Sequence, residues 1–208
     1  MKKSGKKHPQ KGDYGYYSYE KKRRVAIVAF LLGVCLLVFF TGLIMTGTRK
    51  NLFTLVAILG ILPAAKVAVS WIMMMMQKSG DKNALEETEK RCGELTRAYE
   101  LVISAYEGTM PLDALVICGD QVVCYSRHGK KDKFEFMEKH MAKILNANHY
   151  YSAKVKIFPE LKPYLDRVDQ LAHAPEKYRE GIKFTPDENY PELSREELMK
   201  QVLMAISL

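Results

Sequence analysis

The sequence contains no aspartate or glutamate between residues 25 and 76, although 24 of its 208 residues are acidic. It also contains no glycine-rich phosphate loop, no HExxH and no GxSxG motif. Its four cysteines, Cys35, Cys92, Cys118 and Cys124, form no Cys-x-x-Cys pair. These absences argue against P-loop nucleotide chemistry, zinc proteases, serine hydrolases and a disulfide-rich secreted scaffold. Reduced thiols in a reducing compartment are the expected state of the cysteines.

The region without acidic residues consists of two long apolar runs, which predict two transmembrane helices. Residues 25–46 would span about 33 Å as a helix, enough for a hydrocarbon core of about 30 Å. A signal peptide would have a shorter apolar region of about 7 to 15 residues. The second run, residues 52–76, contains Pro63 and Lys66. Because only the loop 47–51 separates the runs, we predict a tight antiparallel helical hairpin.

The distribution of charge predicts the orientation of this hairpin. Residues 1–24 carry nine basic and two acidic residues, whereas the loop 47–51 carries two basic residues. Basic flanks stay on the cytoplasmic side of a membrane, so we predict a two-pass protein of the cell membrane with both termini in the cytoplasm. Residues 77–208 carry 20 basic and 22 acidic residues. The overall charge of +8 therefore belongs to the N-terminal part, which argues against nucleic acid as a partner of the C-terminal domain.

Six residues are predicted to lie at the membrane interface. The N-terminal arm, residues 1–24, is predicted to be disordered and to contact anionic headgroups of the lipid bilayer. Alternatively, its charges only orient the first helix during insertion, or its tyrosines and lysines bind single-stranded nucleic acid. In the second run, Lys66 lies about 7.5 Å inside the expected interface and either extends its side chain outward or pairs with a buried partner. The interface residues are Lys21, Lys22, Arg23, Arg24, Lys66 and Trp71.

After a hinge at residues 77–83, residues 84–208 predict a cytoplasmic α+β domain with a small mixed sheet and the element order α-β-β-α-β-α-α. The first helix is capped by Asn83 and extends to Tyr106, because apolar residues recur at intervals of three and four. This stripe either packs on the domain's own sheet or forms a coiled-coil dimer. Its members are Leu85, Thr88, Cys92, Leu95, Tyr99, Val102 and Tyr106.

A β-hairpin is predicted at residues 112–118 and 121–127, with Gly119 and Asp120 in its turn. In this register Cys118 and Cys124 point to opposite faces of the sheet, so they cannot bind one metal ion and are interpreted as buried structural residues. A helix capped by Asp132 and a half-exposed edge strand at 151–158 follow. A helix from Lys162, a long loop at 173–193 and a final helix with a capping box at Ser194 complete the domain.

The segment from Asp113 to Arg127, with a helix on either side, resembles the hairpin of nuclease-related domains in the restriction-endonuclease-like class. That family places an aspartate at the start of one strand and a Glu-x-Lys motif on the next. Asp113 matches the aspartate, whereas Tyr125 and Arg127 occupy the positions of the glutamate and the lysine. The resemblance implies a catalytic centre at Asp113. Loss of the second carboxylate removes a metal ligand, so the chain would be at best an inactive relative.

These patterns predict a membrane-anchored, non-catalytic domain that serves as a protein-interaction, regulatory or assembly module. No cofactor and no metal ion are expected, and the protein partner is not identified by the sequence. The loop 173–193 and the lysine face of the edge strand are candidate contact surfaces. The alternative is a membrane-tethered hydrolase or a degenerate nuclease-like domain centred on Asp113.

Overall fold

The computed structural model describes residues 9–48, 51–75, 80–106, 108–182, 184–186 and 190–207. The described residues belong to a helical unit within residues 17–77 and an α+β unit that combines residues up to 16 with residues from 78 onward. The helices are α1 (Tyr16–Thr46), α2 (Leu52–Met75), α3 (Lys82–Arg91), α4 (Phe134–Ala147), α5 (Leu161–His173), α6 (Pro175–Arg179) and α7 (Arg195–Ala205). The strands are β1 (Thr96–Ala105), β2 (Gly108–Cys118), β3 (Gln121–Tyr125) and β4 (Lys154–Phe158).

Small residues allow α1 and α2 to pack closely in the helical unit. A Cβ atom on Gly42 would lie 2.3 Å from Cβ of Phe53, and one on Gly60 would lie 2.8 Å from Sγ of Cys35. Ala57 and Ala64, on the same face of α2 as Gly60, are buried. Such contacts between small residues are typical of helix pairs in membranes, where close backbone approach replaces the hydrophobic effect.

The outer faces of α1 and α2 expose large apolar side chains. By length and composition both helices can cross a membrane, and only 11% of the residues in the apolar stretch of each helix are buried. Leu37 is 69% exposed and Ile44 is 83% exposed. These helices are therefore not the core helices of the described chain, which would be mostly buried. Lys66 also lies on the exposed surface of α2.

The N-terminal arm differs from the prediction of disorder. Helix α1 begins at Tyr16, so residues 16–24 are helical, and Glu20 pairs with Arg23 at 3.3 Å and with Arg24 at 3.2 Å. Residues 9–15 form turns that belong to the α+β unit and contact its strand β1. The predicted contacts of residues 1–8, the loop residues 49–50 and the hinge residues 77–79 lie outside the described residues.

The α+β unit contains a four-stranded mixed sheet in the order β1-β2-β3-β4, which confirms the predicted class. Neighbours are antiparallel except for β3 and β4, which are parallel. Cys118 pairs with Gln121, as predicted, and Cys118 and Cys124 belong to separate cores on opposite faces. One core contains α4 and α7 residues, and the other contains α3 and α5 residues. The predicted capping box of α7 is also confirmed.

The prediction of one long helix up to Tyr106 was wrong, and so was the element order. Helix α3 ends at Arg91, Gly93 has a φ of +52°, and residues 96–105 form strand β1. The described order in this unit is α-β-β-β-α-β-α-α-α. Helix α3 is capped by Asp81 rather than Asn83, and α4 starts after a 3₁₀ turn at Lys131–Lys133 without a cap from Asp132.

An irregularity in β1 and β2 explains why apolar residues in the sequence of β1 have a spacing that is typical of a helix. Ala98 and Leu101 both belong to the core beneath α4 and α7, although they are three residues apart, and on β2 the same holds for Leu112 and Leu115. Regular strands place every second residue on one face. The alternation is therefore interrupted in both strands at the same level, where Glu100 has a φ of +49°.

The outer edge of β1 is covered by both ends of the described chain. The N–H of Tyr99 donates to the carbonyl of Gly12 at 2.8 Å, and the N–H of Ser104 donates to the carbonyl of Ile206 at 3.1 Å. The N–H of Val102 donates to Oγ of Ser207 at 3.3 Å. Unpaired strand edges favour aggregation, so these bonds protect the sheet.

Candidate functional site

Asp113, the candidate catalytic residue, lies in the interior of the α+β unit at the same level of the sheet as a second acidic residue, Glu100. The paired residues on either side in β1 and β2 place Glu100 opposite Asp113, and both carboxylates are buried. The Asp113 carboxylate accepts the N–H of Arg127 at 2.7 Å and the N–H of Asp81 at 3.1 Å. Glu100 and Asp113 are referred to below as the carboxylate pair.

The Glu100 carboxylate binds the two segments that connect the α+β unit to the helical unit. Its oxygens accept the N–H of Gly15 at 3.0 Å and the N–H of Gly80 at 3.2 Å. Gly15 directly precedes the first residue of α1, and Gly80 follows the last residue of α2 by five positions. Together with the bond from the N–H of Asp81 to Asp113, these contacts mean that the carboxylate pair binds both the segment before α1 and the segment after α2.

The electrostatics of Asp113 suit this structural role. Burial raises the pKa of its carboxyl group, and the N–H donors of Arg127 and Asp81 oppose that rise only in part. Tyr125, at the family's glutamate position, is buried against Tyr164 with 5.6 Å between ring centroids. In the described part of the chain no three His, Cys, Asp or Glu side chains come together as a metal site. A hydrolase centred on Asp113 stays a prediction; the acid opposite it, Glu100, accepts backbone N–H groups.

The stability of the protein should report the raised pKa of Asp113. Because the folded carboxyl group binds its proton more tightly than the unfolded one, its stabilising contribution is complete below the usual pKa of 3.8 and is lost as the pH rises through the folded-state value. The stability of the wild type relative to Asp113→Asn should therefore be highest near about pH 4 and should decrease toward about pH 7. Thermal unfolding followed by circular dichroism measures this difference. If the stability of the wild type relative to Asp113→Asn instead increased with pH, the Asp113 carboxylate would have to face a cation.

A cleft of about 450 Å³ lies at the other end of the sheet, beside the turn between β2 and β3. Its lining includes Thr96, Ile182 and Phe184, together with residues of the turn and of the first turn of α7. Buried Glu196 is the central charge: its carboxylate accepts the N–H of Gly119 at 2.6 Å and two bonds from Arg179, at 2.9 and 3.0 Å.

A second arginine completes the network at this cleft. Arg195 donates to the carbonyl of Gly119 at 3.0 Å and to the Asp120 carboxylate at 2.5 Å, and its guanidinium lies 5.2 Å from the ring centroid of Tyr150. Burial raises the pKa of nearby Cys118 to about 11, so that thiol is protonated at neutral pH and is a poor nucleophile. The network binds the turn to α6 and α7, and the cleft offers apolar side chains beside paired charges.

The predicted interface residues do not form one cluster. Arg24 on α1 hydrogen-bonds Oγ of Ser70 on α2, so Arg24 lies beside the residue that precedes Trp71. Lys22 and Arg23 are exposed and Lys21 is half-buried. Lys66 lies four residues before Ser70, about one helical turn further into the apolar segment.

Sequence reasoning missed both Glu100 and the arginine network. A single acidic residue inside the apolar run from Tyr99 to Ile103 was the available signal for Glu100, but that run was interpreted as a helix. No protein-family model matches the chain, and no curated protein or solved structure is significantly similar to it. The resemblance to nuclease-related domains therefore depends on the hairpin alone.

Proposed function

We propose that the chain is a two-pass protein of the cell membrane whose α+β unit lies in the cytoplasm and acts as a non-catalytic protein-interaction module in regulation or assembly. The carboxylate pair carries this proposal. The buried acid that the resemblance marks as catalytic, and the acid opposite it, accept backbone N–H groups from both connecting segments. These acids hold the segments that lead into α1 and out of α2 within the α+β unit.

The surface of the helical unit supports membrane anchoring. The apolar side chains on the outside of α1 and α2 form a surface far larger than the patches that soluble monomers expose. From the level of Arg24 and Ser70, residues 25–46 would span about 33 Å and residues 52–70 about 28 Å, close to the thickness of a hydrocarbon core. Trp71 and the basic residues before Val25 then lie at one interface. The excess of basic residues there supports the proposal that this interface is the cytoplasmic one.

The cleft supports the interaction role. Side chains of a partner protein bind most strongly where apolar residues surround a pocket that excludes water. Phe184 is 39% exposed at the mouth of the cleft, and Ile182 lies beside it. The paired charges of Arg179 and Glu196 keep the cleft in one shape without offering a free nucleophile. A partner that inserts an apolar side chain beside Phe184 fits these features.

Site-specific photo-crosslinking in native membranes tests both parts of the proposal. A benzophenone amino acid replaces Phe184 in one variant and Tyr106 in a second. Tyr106 follows the last residue of β1, whereas the cleft lies at the first, so the two positions are at opposite ends of that strand. After irradiation we expect a discrete adduct between the chain and a different protein at position 184 and none at position 106. Both variants should stay in the membrane fraction after an alkaline carbonate wash.

The two parts can fail separately. Release of the chain by carbonate would disprove membrane insertion. Retention in the membrane, together with no adduct at position 184, would leave the anchor intact and disprove interaction through the cleft. Tyr106 is 92% exposed, so an equal adduct at both positions would indicate only random collisions.

A further inference from the structure

Residues 127–133, called the basic loop below, form a concentration of positive charge within residues 77–208, a part of the chain that is slightly acidic as a whole. The loop contains Arg127, Lys130, Lys131 and Lys133 against a single acid, Asp132. By contrast, residues 77–208 as a whole carry two more acidic than basic residues. The excess of cations in the basic loop is therefore a local feature.

The basic loop begins at the anchor of the connecting segments. The N–H of Arg127 donates to Asp113, and its guanidinium pairs with Asp81 at 3.3 Å. Asp81 lies next to Gly80, which binds Glu100. The loop thus starts where the chain passes between the α+β unit and the helical unit.

From that point the basic loop follows the first half of β2, in the direction away from the cleft. Oγ of Ser126 donates to the carbonyl of Pro111. At the other end of the loop, Nζ of Lys133 lies 3.3 Å from the position that a Cβ on Gly108 would take. The loop is therefore supported along its length by β2 and leads directly into α4.

Two of the four cations of the basic loop are fully accessible. Lys130 and Lys131 are exposed, and in the ranges that the structure describes neither of them forms an ion pair. Beside the loop, the exposed ring of Tyr106 contacts the ring of Phe136 with 6.3 Å between centroids. Exposed lysines next to amphipathic aromatic side chains are typical of surfaces that meet lipid headgroups.

We infer that the basic loop binds anionic lipid headgroups of the same bilayer that holds α1 and α2. This inference rests on the proposed membrane anchoring. Both connecting segments end at the carboxylate pair, so the tether keeps the loop near the bilayer and gives the headgroups a high effective concentration. Nucleic acid is a poorer match, because the tether raises the local concentration of headgroups and not that of nucleic acid. Binding at this loop would set the orientation of the α+β unit on the membrane and leave the cleft at the opposite end of the sheet available.

Hydrogen–deuterium exchange of the full chain in lipid nanodiscs tests this inference. The amides of the basic loop should exchange more slowly in nanodiscs that contain phosphatidylglycerol than in nanodiscs of pure phosphatidylcholine. The protection should disappear in high salt, where charges are screened over a few ångströms. Each lysine near an anionic surface is worth about five-fold in the binding constant, so the variant Lys130→Gln/Lys131→Gln should weaken the interaction roughly 25-fold.

The matched control is Lys154→Gln/Lys177→Gln, which removes the same charge at the other end of the sheet. Lys154 pairs with Gln121 beside the β2–β3 turn, and Lys177 precedes Tyr178, whose carbonyl approaches Gly119. This control should keep full protection of the basic loop, and unchanged exchange of β2 in all variants reports an intact fold.

Three outcomes would overturn the inference. They are equal exchange in the two lipids, protection that persists without Lys130 and Lys131, and equal protection by inorganic phosphate or an oligonucleotide added to neutral nanodiscs. A chain that does not incorporate into nanodiscs of either composition would instead disprove the membrane anchoring, so the two failures are distinguishable.

Discussion

Replacement of Gly119 by alanine should lower the free energy of unfolding of the α+β unit by about 4 kcal/mol, whereas the same replacement at Gly93 should cost only about 1 kcal/mol. Both glycines have a positive φ, +57° at Gly119 and +52° at Gly93, so both alanines would suffer a similar backbone strain. Their surroundings differ. A Cβ on Gly119 would lie 1.9 Å from the carbonyl oxygen of Tyr178, whereas a Cβ on Gly93 meets no atom within 4 Å.

The additional cost at Gly119 arises because the backbone of α6 must move. That helix carries Arg179, whose two bonds to Glu196 depend on its position. Displacement of the turn also weakens the bond from the N–H of Gly119 to Glu196, a bond to a buried charge that is worth about 1.5 to 3 kcal/mol. The comparison with Gly93 removes the contribution of backbone strain.

The buried thiols provide the measurement. Cys92, Cys118 and Cys124 are free and buried, so they react with a thiol-specific dye only when the unit unfolds. A Cys35→Ser background removes the thiol of the helical unit. A Gly119→Ala variant no less stable than Gly93→Ala would show that the turn and α6 are not in contact.

Glu100→Ala should destabilise the same unit by about 3 kcal/mol, because two backbone N–H groups lose their acceptor at a cost of about 1 to 3 kcal/mol each. Those donors are Gly15 and Gly80. Glu94→Ala is the matched control, since Glu94 is an exposed glutamate in the same unit, and it should change stability by less than about 0.5 kcal/mol. Glu100→Gln keeps one acceptor oxygen and should fall between the two.

A second readout separates anchoring from general stability. Loss of the Glu100 carboxylate should release Gly80 and expose the start of α3, so trypsin should cleave after Lys82 faster in Glu100→Ala than in a variant of equal stability elsewhere. The double variant Glu100→Ala/Asp113→Ala should cost less than the two single effects combined, because both acids hold neighbouring residues of one segment. Additive costs would contradict a shared anchor.

The elements that could be predicted from the sequence were those determined by residues close to one another along the chain. The turn at Gly119, the capping box at Ser194 and the apolar spans all depend on residues within a few positions of one another. Strand β1 could not be predicted, because its residues are buried on both faces. The alternation of its side chains is interrupted at Glu100, which gives its apolar residues a helical spacing. In such a run, period alone does not distinguish strand from helix.

The candidate site was less predictable because its contacts join residues that are distant along the chain. Asp113 was found from a hairpin pattern, but its hydrogen-bond donors are the backbone N–H groups of Asp81 and Arg127. Glu100, at the same level on the neighbouring strand, is distant along the chain. No local pattern marks a carboxylate that accepts bonds from main-chain amides. The prediction of opposite faces for Cys118 and Cys124 succeeded because a two-residue turn fixes the register by itself.

The covering of β1 by residues near both ends of the described chain has a consequence for biosynthesis. Gly12 is translated before β1, whereas Ile206 and Ser207, which bind the other half of the same edge, are translated only after the last strand of the sheet and after α7. The C-terminal half of the outer edge of β1 therefore has no hydrogen-bond partner while the sheet and both of its helical layers are synthesised. A nascent chain that stalls before this point would carry an unpaired strand, which is a substrate for chaperones and proteases.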